Sequence, residues 1–149
     1  MLSLLAFIII LLVVIAVMSF INRFTLIRVD GESMSPTLKH GQFLFVDRAI
    51  TPQYIPNFGE RVLKGAIMVY YSPQGKPVIK RLTEKVRVSE TETFLWFEGD
   101  NKENSIDSRD YGFVLPERIY GEAVNFSTFL KRTFAHKKSE IIEEEIADG

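Results

Sequence analysis

From Met1 to Ile21 the chain carries no charged side chain, and the run is mostly Leu, Ile and Val. No other feature constrains folding as severely. A run of ~20 apolar residues makes a helix about 30 Å long, the thickness of a bilayer's hydrocarbon core. In lipid, backbone amides find no water and must pair within the helix. A cleavable leader would show a basic start, a shorter apolar stretch and a small-x-small cleavage site. Here no Lys or Arg precedes Arg23, and Ala16-Val17-Met18-Ser19 matches such a site only weakly. The expectation is an uncleaved transmembrane anchor over residues 1–21. Arg23 and Arg28, taken alone, would place the following domain in the cytoplasm by the positive-inside rule.

The rest reads as one small domain, residues 22–125, with a tail over 126–149. Strands are predicted at Phe24–Val29, Gln42–Asp47, Ala66–Tyr71, Pro77–Val88 and Thr93–Phe97, where β-branched and aromatic residues gather between turn signals. Pro52, Pro56, Asn57 and Gly59 make Ile50–Gly65 read as a loop. Many short strands with turn punctuation argue for a mainly β domain, a small barrel or sandwich. In the tail, Phe126, Phe129, Leu130 and Phe134 recur at helical spacing beside Lys131, Arg132, Lys137 and Lys138. Glu143-Glu144-Glu145 and Asp148 follow. This reads as a short helix fraying into a solvated tail, rather than an amphipathic helix on a bilayer surface.

Composition narrows the chemistry. With 18 Lys+Arg against 19 Asp+Glu there is no basic face for nucleic acid. The absence of cysteine removes disulfides and thiolate metal sites. His40 and His136 lie far apart, which argues against a His-rich metal site and leaves mixed His/carboxylate sites open. No cofactor is expected.

Acyl transfer by a serine needs a base for its hydroxyl proton. His40 has no companion Asp in a recognisable context and reads as a surface residue. A lysine can replace histidine if burial keeps it neutral, because desolvation disfavours the ammonium. Lys80 follows Val78-Ile79 on a predicted strand, with Val78 and Lys80 on one face and Ile79 on the other. On composition alone Lys39, Lys64, Lys76, Lys85 and Lys102 compete equally, and an exposed lysine is the common case.

Three segments together resemble the type I signal peptidases (leader peptidases), a serine–lysine dyad family. Ser33-Met34-Ser35-Pro36-Thr37-Leu38 fits S-M-x-P-T-L, Lys80-Arg81 fits a strand lysine followed by arginine, and Gly99–Arg109 fits G-D-N-x-x-N-S-x-D-S-R at every fixed position. The resemblance covers Val29–Ala123. It implies a signal-peptidase-like β barrel or sandwich behind one transmembrane helix, with Ser33 as nucleophile and Lys80 as general base. It implies that Ser105 hydrogen-bonds the lysine amine, that Asp107 and Arg109 form a supporting ion pair, and that Gly99 and Asp100 shape the loop. The Ser33 amide would be one oxyanion donor. Many relatives place a serine two positions earlier as the second donor, where this chain has Gly31. Relatives often carry Gly-Asp where this chain has Gly41-Gln42 and Gly65-Ala66, and the short span from Val86 to Phe97 leaves out the large extra domain of some relatives.

What the resemblance implies for function is removal of N-terminal signal peptides from exported preproteins after a small-x-small site. The substrate would add as a strand beside Gly31–Met34 and Pro77–Lys80, so Gly31, Met34, Pro77, Val78 and Ile79 are substrate-binding candidates. Met34, Phe43 and Phe45 could line pockets or face lipid, with core packing the default. The implied setting is single-pass in a bacterial plasma membrane, the catalytic domain on the extracytoplasmic face near the secretion translocon. Signal peptides and the lipid bilayer are the partners. Rival readings are a conjugation or pilin-maturation peptidase of the same dyad type, and a non-catalytic relative that only binds signal peptides. A self-cleaving repressor would carry a DNA-binding segment in place of the apolar run.

Overall fold

The computed structural model describes residues 2–53, 55, 58–89 and 92–131. Helix α1 spans Leu2–Arg23. From Leu4 to Arg23 its mean hydropathy is 3.4, and none of that window is buried against the rest of the protein. An apolar helix left exposed along nearly its whole length needs another apolar surrounding, so α1 fits a membrane anchor or a signal sequence.

Strand β1, Phe24–Arg28, begins at the very next residue. It is followed by β2 (Phe43–Asp47), α2 (Phe58–Arg61), β3 (Ile67–Tyr71), β4 (Pro77–Arg87), β5 (Thr93–Glu98), α3 (Ser108–Tyr111) and β6 (Ile119–Val124). The six strands form one antiparallel sheet in the order β1-β2-β6-β3-β4-β5. A mainly β domain behind one apolar helix is therefore the architecture.

β6 was not expected. Gly121 and Glu122 are poor strand formers and mask the alternation of Ile119, Gly121 and Ala123. Gly121 is required by packing, because a Cβ there would lie 2.6 Å from Val46 Cγ1 and 2.8 Å from the Asp47 carbonyl oxygen. α2 also departs from the expected loop. Phe58 and Val62, one helical turn apart, both enter the main core beside Met68, Tyr70, Leu82, Leu95 and Phe97. Pro56 and Asn57 lie outside the described residues.

A second cluster, Val29, Met34, Leu38 and Leu44, packs with Ile27, Ile67, Ile79 and Ala123. Phe43 does not join any core; it is 63% exposed. The third cluster lies at the junction with α1. Here the helix over 126–131 starts on Asn125, whose Oδ1 accepts the Thr128 amide at 2.8 Å. Phe129 stacks on Phe45 with centroids 4.4 Å apart and meets Phe24 edge-on at 4.8 Å and Phe20 at 5.7 Å. The tail thus begins as a short helix whose first turn is docked on the sheet. Arg132, Phe134, His136, Lys137, Lys138, Glu143–Glu145 and Asp148 lie outside the described residues.

Arg23 closes the junction. Its Nε and Nη2 donate to Asp47 Oδ1 and Oδ2, both at 3.1 Å, and its carbonyl accepts the Arg48 amide at 2.8 Å. Asp47 is fully buried, and its Oδ1 also accepts the Ala49 amide at 3.1 Å. Asp47→Ala strands these donors, so a loss of about 2–4 kcal/mol is expected. Denaturant unfolding of the detergent-solubilised protein measures it, and an unchanged midpoint would refute the clamp.

Candidate active site

Beyond β1 the chain loops back to β2. Val29 N–H donates to the Gln42 carbonyl and Gly41 N–H to the Val29 carbonyl, both at 2.8 Å, which closes the loop at its base. Inside it, Gly31 takes a φ of +88°, a conformation that L side chains rarely adopt. Its amide donates to His40 Nδ1 at 3.1 Å. The Leu38 amide donates to the Met34 carbonyl at 2.9 Å, winding Ser33–Leu38 into a turn. Met34, only 2% exposed, pins that turn into the second core cluster. Ser33 is thereby held beside a buried anchor, and its own amide makes no hydrogen bond among the described residues.

Lys80 reaches the same point from β4. It is 4% exposed, and its Nζ lies 2.6 Å from Ser33 Oγ. Burial lowers its pKa from the ordinary lysine value by disfavouring the ammonium. The charge of Asp107 opposes this shift and that of Arg109 adds to it.

The polar loop is organised by one carboxylate. Asp107 Oδ2 accepts from the Gly99 amide (2.8 Å), Ser105 Oγ (2.7 Å) and Arg109 Nη2 (2.8 Å). Its Oδ1 accepts from Arg109 Nε at 2.9 Å and the Arg109 amide at 3.2 Å. Asp107 also caps α3, where Asp110 Oδ2 accepts its backbone amide in return. Burial alone would raise its pKa; the Arg109, Gly99 and Ser105 hydrogen bonds outweigh that and hold it well below the usual carboxylate range. Ser105 differs from what the resemblance implies. Its hydroxyl donates to Asp107, and no hydrogen bond joins it to Lys80. The ionised carboxylate is the stronger acceptor and lies two residues away.

Gly99 is where loop and nucleophile meet. A Cβ there would lie 2.5 Å from Ser105 Cβ and 2.6 Å from the Ser33 carbonyl oxygen. The next amide but one, Asn101 N–H, donates to that same Ser33 oxygen at 3.0 Å. Asp100 pairs with Arg81 at 2.8 and 2.6 Å and also accepts from Thr37, while Arg81 Nη1 reaches the Gly65 carbonyl at 2.8 Å. All three sequence segments therefore converge. Among the described residues, no group of three or more His, Asp or Glu is placed to hold a metal ion.

A cleft of about 380 Å³ opens over Ser33 and Lys80, lined by Ile27–Asp30, Met34, Val69 and Pro77–Ile79. Two strand edges border it. β1 is the end strand of the sheet, and β4 pairs with β5 only from Arg81 onward, so Pro77–Lys80 is bonded on one side alone. Met34, Pro77, Val78 and Ile79 line the cleft. Gly31 does not line it; its amide is used by His40, and Ile27–Asp30 take that wall instead.

The family model described as signal peptidase, peptidase S26, matches residues 1–85, more than half of the chain. The chain belongs to this family. It is a serine peptidase family whose members are signal peptidases. The match takes in Ser33 and Lys80; Gly99–Arg109 lies beyond it. No curated protein matches the chain.

For this S26 peptidase, sequence reading missed the links between segments: Thr37 to Asp100, Asn101 to Ser33 and His40 to Gly31. Thr37 and Asn101 stood inside the motifs, so their presence was visible but their partners were not. The depressed Asp107 pKa carries a pH signature. A carboxylate held below its unfolded value of ~3.9 contributes stability that is full above that value and is lost progressively as pH falls from there through its lower folded-state pKa. Unfolding midpoints should therefore begin to drop below about pH 5 and keep falling past pH 3. Asp107→Asn should start lower at neutral pH and show a shallower drop, and an equal drop in both proteins would refute the assignment.

Proposed function

We propose that this chain is a membrane-bound endopeptidase that removes N-terminal signal peptides from exported preproteins, with Ser33 as nucleophile and Lys80 as general base. The observation that carries this is the 2.6 Å approach of a buried lysine amine to a serine hydroxyl at the floor of an open cleft.

A neutral Lys80 takes the Ser33 proton as Oγ attacks the scissile carbonyl. The Ser33 amide, without another acceptor among the described residues, donates to the developing oxyanion. Lys80 then protonates the leaving amine and activates a water that releases the acyl-enzyme. Asp107 and Arg109 act at one remove, by fixing the loop that backs Ser33.

The substrate enters extended. The unpaired edges of β1 and of Pro77–Lys80 offer backbone donors and acceptors on both sides, and alternate side chains then point to the floor. Met34, Val78 and Ile79 narrow that floor, which suits small residues at the first and third positions before the cut. The proposed setting is a bacterial plasma membrane, with α1 as a single-pass anchor and the β domain on the extracytoplasmic face, where exported preproteins emerge from the translocon.

Cleavage of a preprotein by the detergent-solubilised chain tests this, with the new N-terminus sequenced. Ser33→Ala and Lys80→Ala should each lower kcat by at least ~10²-fold without unfolding the protein. Retained cleavage in either variant would remove the dyad; no cleavage by wild type would favour a binding-only relative. The base must be neutral, so kcat/KM should rise with pH along a limb set below the ordinary lysine value of ~10.4. A limb at or above that value would contradict a desolvated Lys80.

A further inference from the structure

Where α1 ends, a cleft of about 210 Å³ opens between its last turn and the chain leaving β2, lined by Ser19, Asn22, Arg23, Arg48 and Ala49. It is distinct from the Ser33–Lys80 cleft and shares no residue with it.

Its lining is cationic. Arg23 spends Nε and Nη2 on Asp47. Arg48 is half-buried, and its guanidinium lies over the Tyr120 ring at 5.2 Å. That contact fixes the fork without satisfying it. Among the described residues the Arg48 guanidinium makes no hydrogen bond and no ion pair. Glu117 lines a neighbouring cleft with Arg48 but is exposed and does not pair with it. Among the described residues that line the cleft, both charged ones are arginines. A half-buried arginine without an anion is an unfilled interaction. The Asn22 amide and Ser19 hydroxyl add neutral donors to the same cleft.

The depth of the cleft says which anion. Leu4–Arg23 is 20 residues long, about 30 Å of helix, so a bilayer that holds it brings residues 19–23 to headgroup level. Monoanionic phosphodiesters lie there, and a guanidinium fork matches two phosphate oxygens at once. We propose that this cleft binds the phosphodiester of a membrane glycerophospholipid through Arg48 and Arg23, with its acyl chains along the apolar flank of α1. The lipid would set the depth and rotation of the β domain. This rests on α1 lying in the membrane and is independent of the serine–lysine chemistry.

Free inorganic phosphate shares the headgroup chemistry but not the chains. The full chain, delipidated in detergent, is therefore titrated with dioctanoyl-phosphatidylglycerol, with dioctanoylglycerol and with inorganic phosphate, and bound species are followed by native mass spectrometry. Saturable binding of phosphatidylglycerol is expected, weakened at least ~10-fold by Arg48→Gln, which loses the guanidinium, and by Asn22→Asp, which adds a carboxylate and leaves both arginines. Equal binding by wild type and variants, or equal binding of dioctanoylglycerol, would overturn the site. Displacement by equimolar inorganic phosphate would overturn the lipid as its source. Alkaline carbonate extraction of membranes tests the premise separately. Release of the chain would remove anchor and proposal together, whereas retention with unchanged lipid binding would overturn the lipid site alone.

Discussion

The buried carboxylate of Asp107 is the interaction on which the rest of the site hangs. It gathers donors from Gly99, Ser105 and Arg109, and so folds an eleven-residue polar segment, Gly99–Arg109, into one rigid piece. A full negative charge in a buried position is costly unless its lone pairs are used and a cation lies close. Both conditions are met here by residues of that same segment. The rigidity is passed on through backbone. Gly99 lies against the Ser33 carbonyl with no room for a side chain, and Asn101 hydrogen-bonds that carbonyl.

Lys80 shows why such support is needed. Desolvation lowers its pKa, yet the Asp107 charge pulls the other way. Arg109, paired with that same carboxylate, offsets the pull. The ion pair thus gives the loop its shape while limiting its electrostatic effect on the amine. A carboxylate with no arginine would hold the loop but favour the ammonium.

Strands with dense β-branched and aromatic residues were legible, because their pattern is written in side chains that pack on a pleated surface. β6 was not, since its central Gly121 is selected by the close approach of β2 and carries no pattern of its own. α2 hid behind Pro52, Pro56 and Gly59, and only the shared burial of Phe58 and Val62 explains it. At the site, the resemblance of three motifs to the signal peptidases pointed to Ser33, Lys80 and the Gly99–Arg109 loop, whereas residue type alone left several lysines equal. Which donor meets which acceptor was beyond reach. Ser105 could serve the lysine or the carboxylate on spacing alone, and the nearer charge decided it. Gly31 was read as a cleft residue, but its positive φ turns its amide toward His40.

The passage from α1 into β1 has a mechanical consequence. No residue lies between them, and the Arg23–Asp47 clamp with the rings of Phe20, Phe24, Phe45 and Phe129 leaves no swivel. A flexible tether would let the domain sample a wide hemisphere, whereas this junction acts as a post. β1 is five residues long, about 17 Å at ~3.3 Å per residue. That length works as a fixed gauge: the Ser33 hydroxyl stands at one height above whatever surface α1 emerges from. Reach is then decided by geometry before chemistry, and a scissile bond held much higher or lower would meet the wall of the domain rather than its cleft.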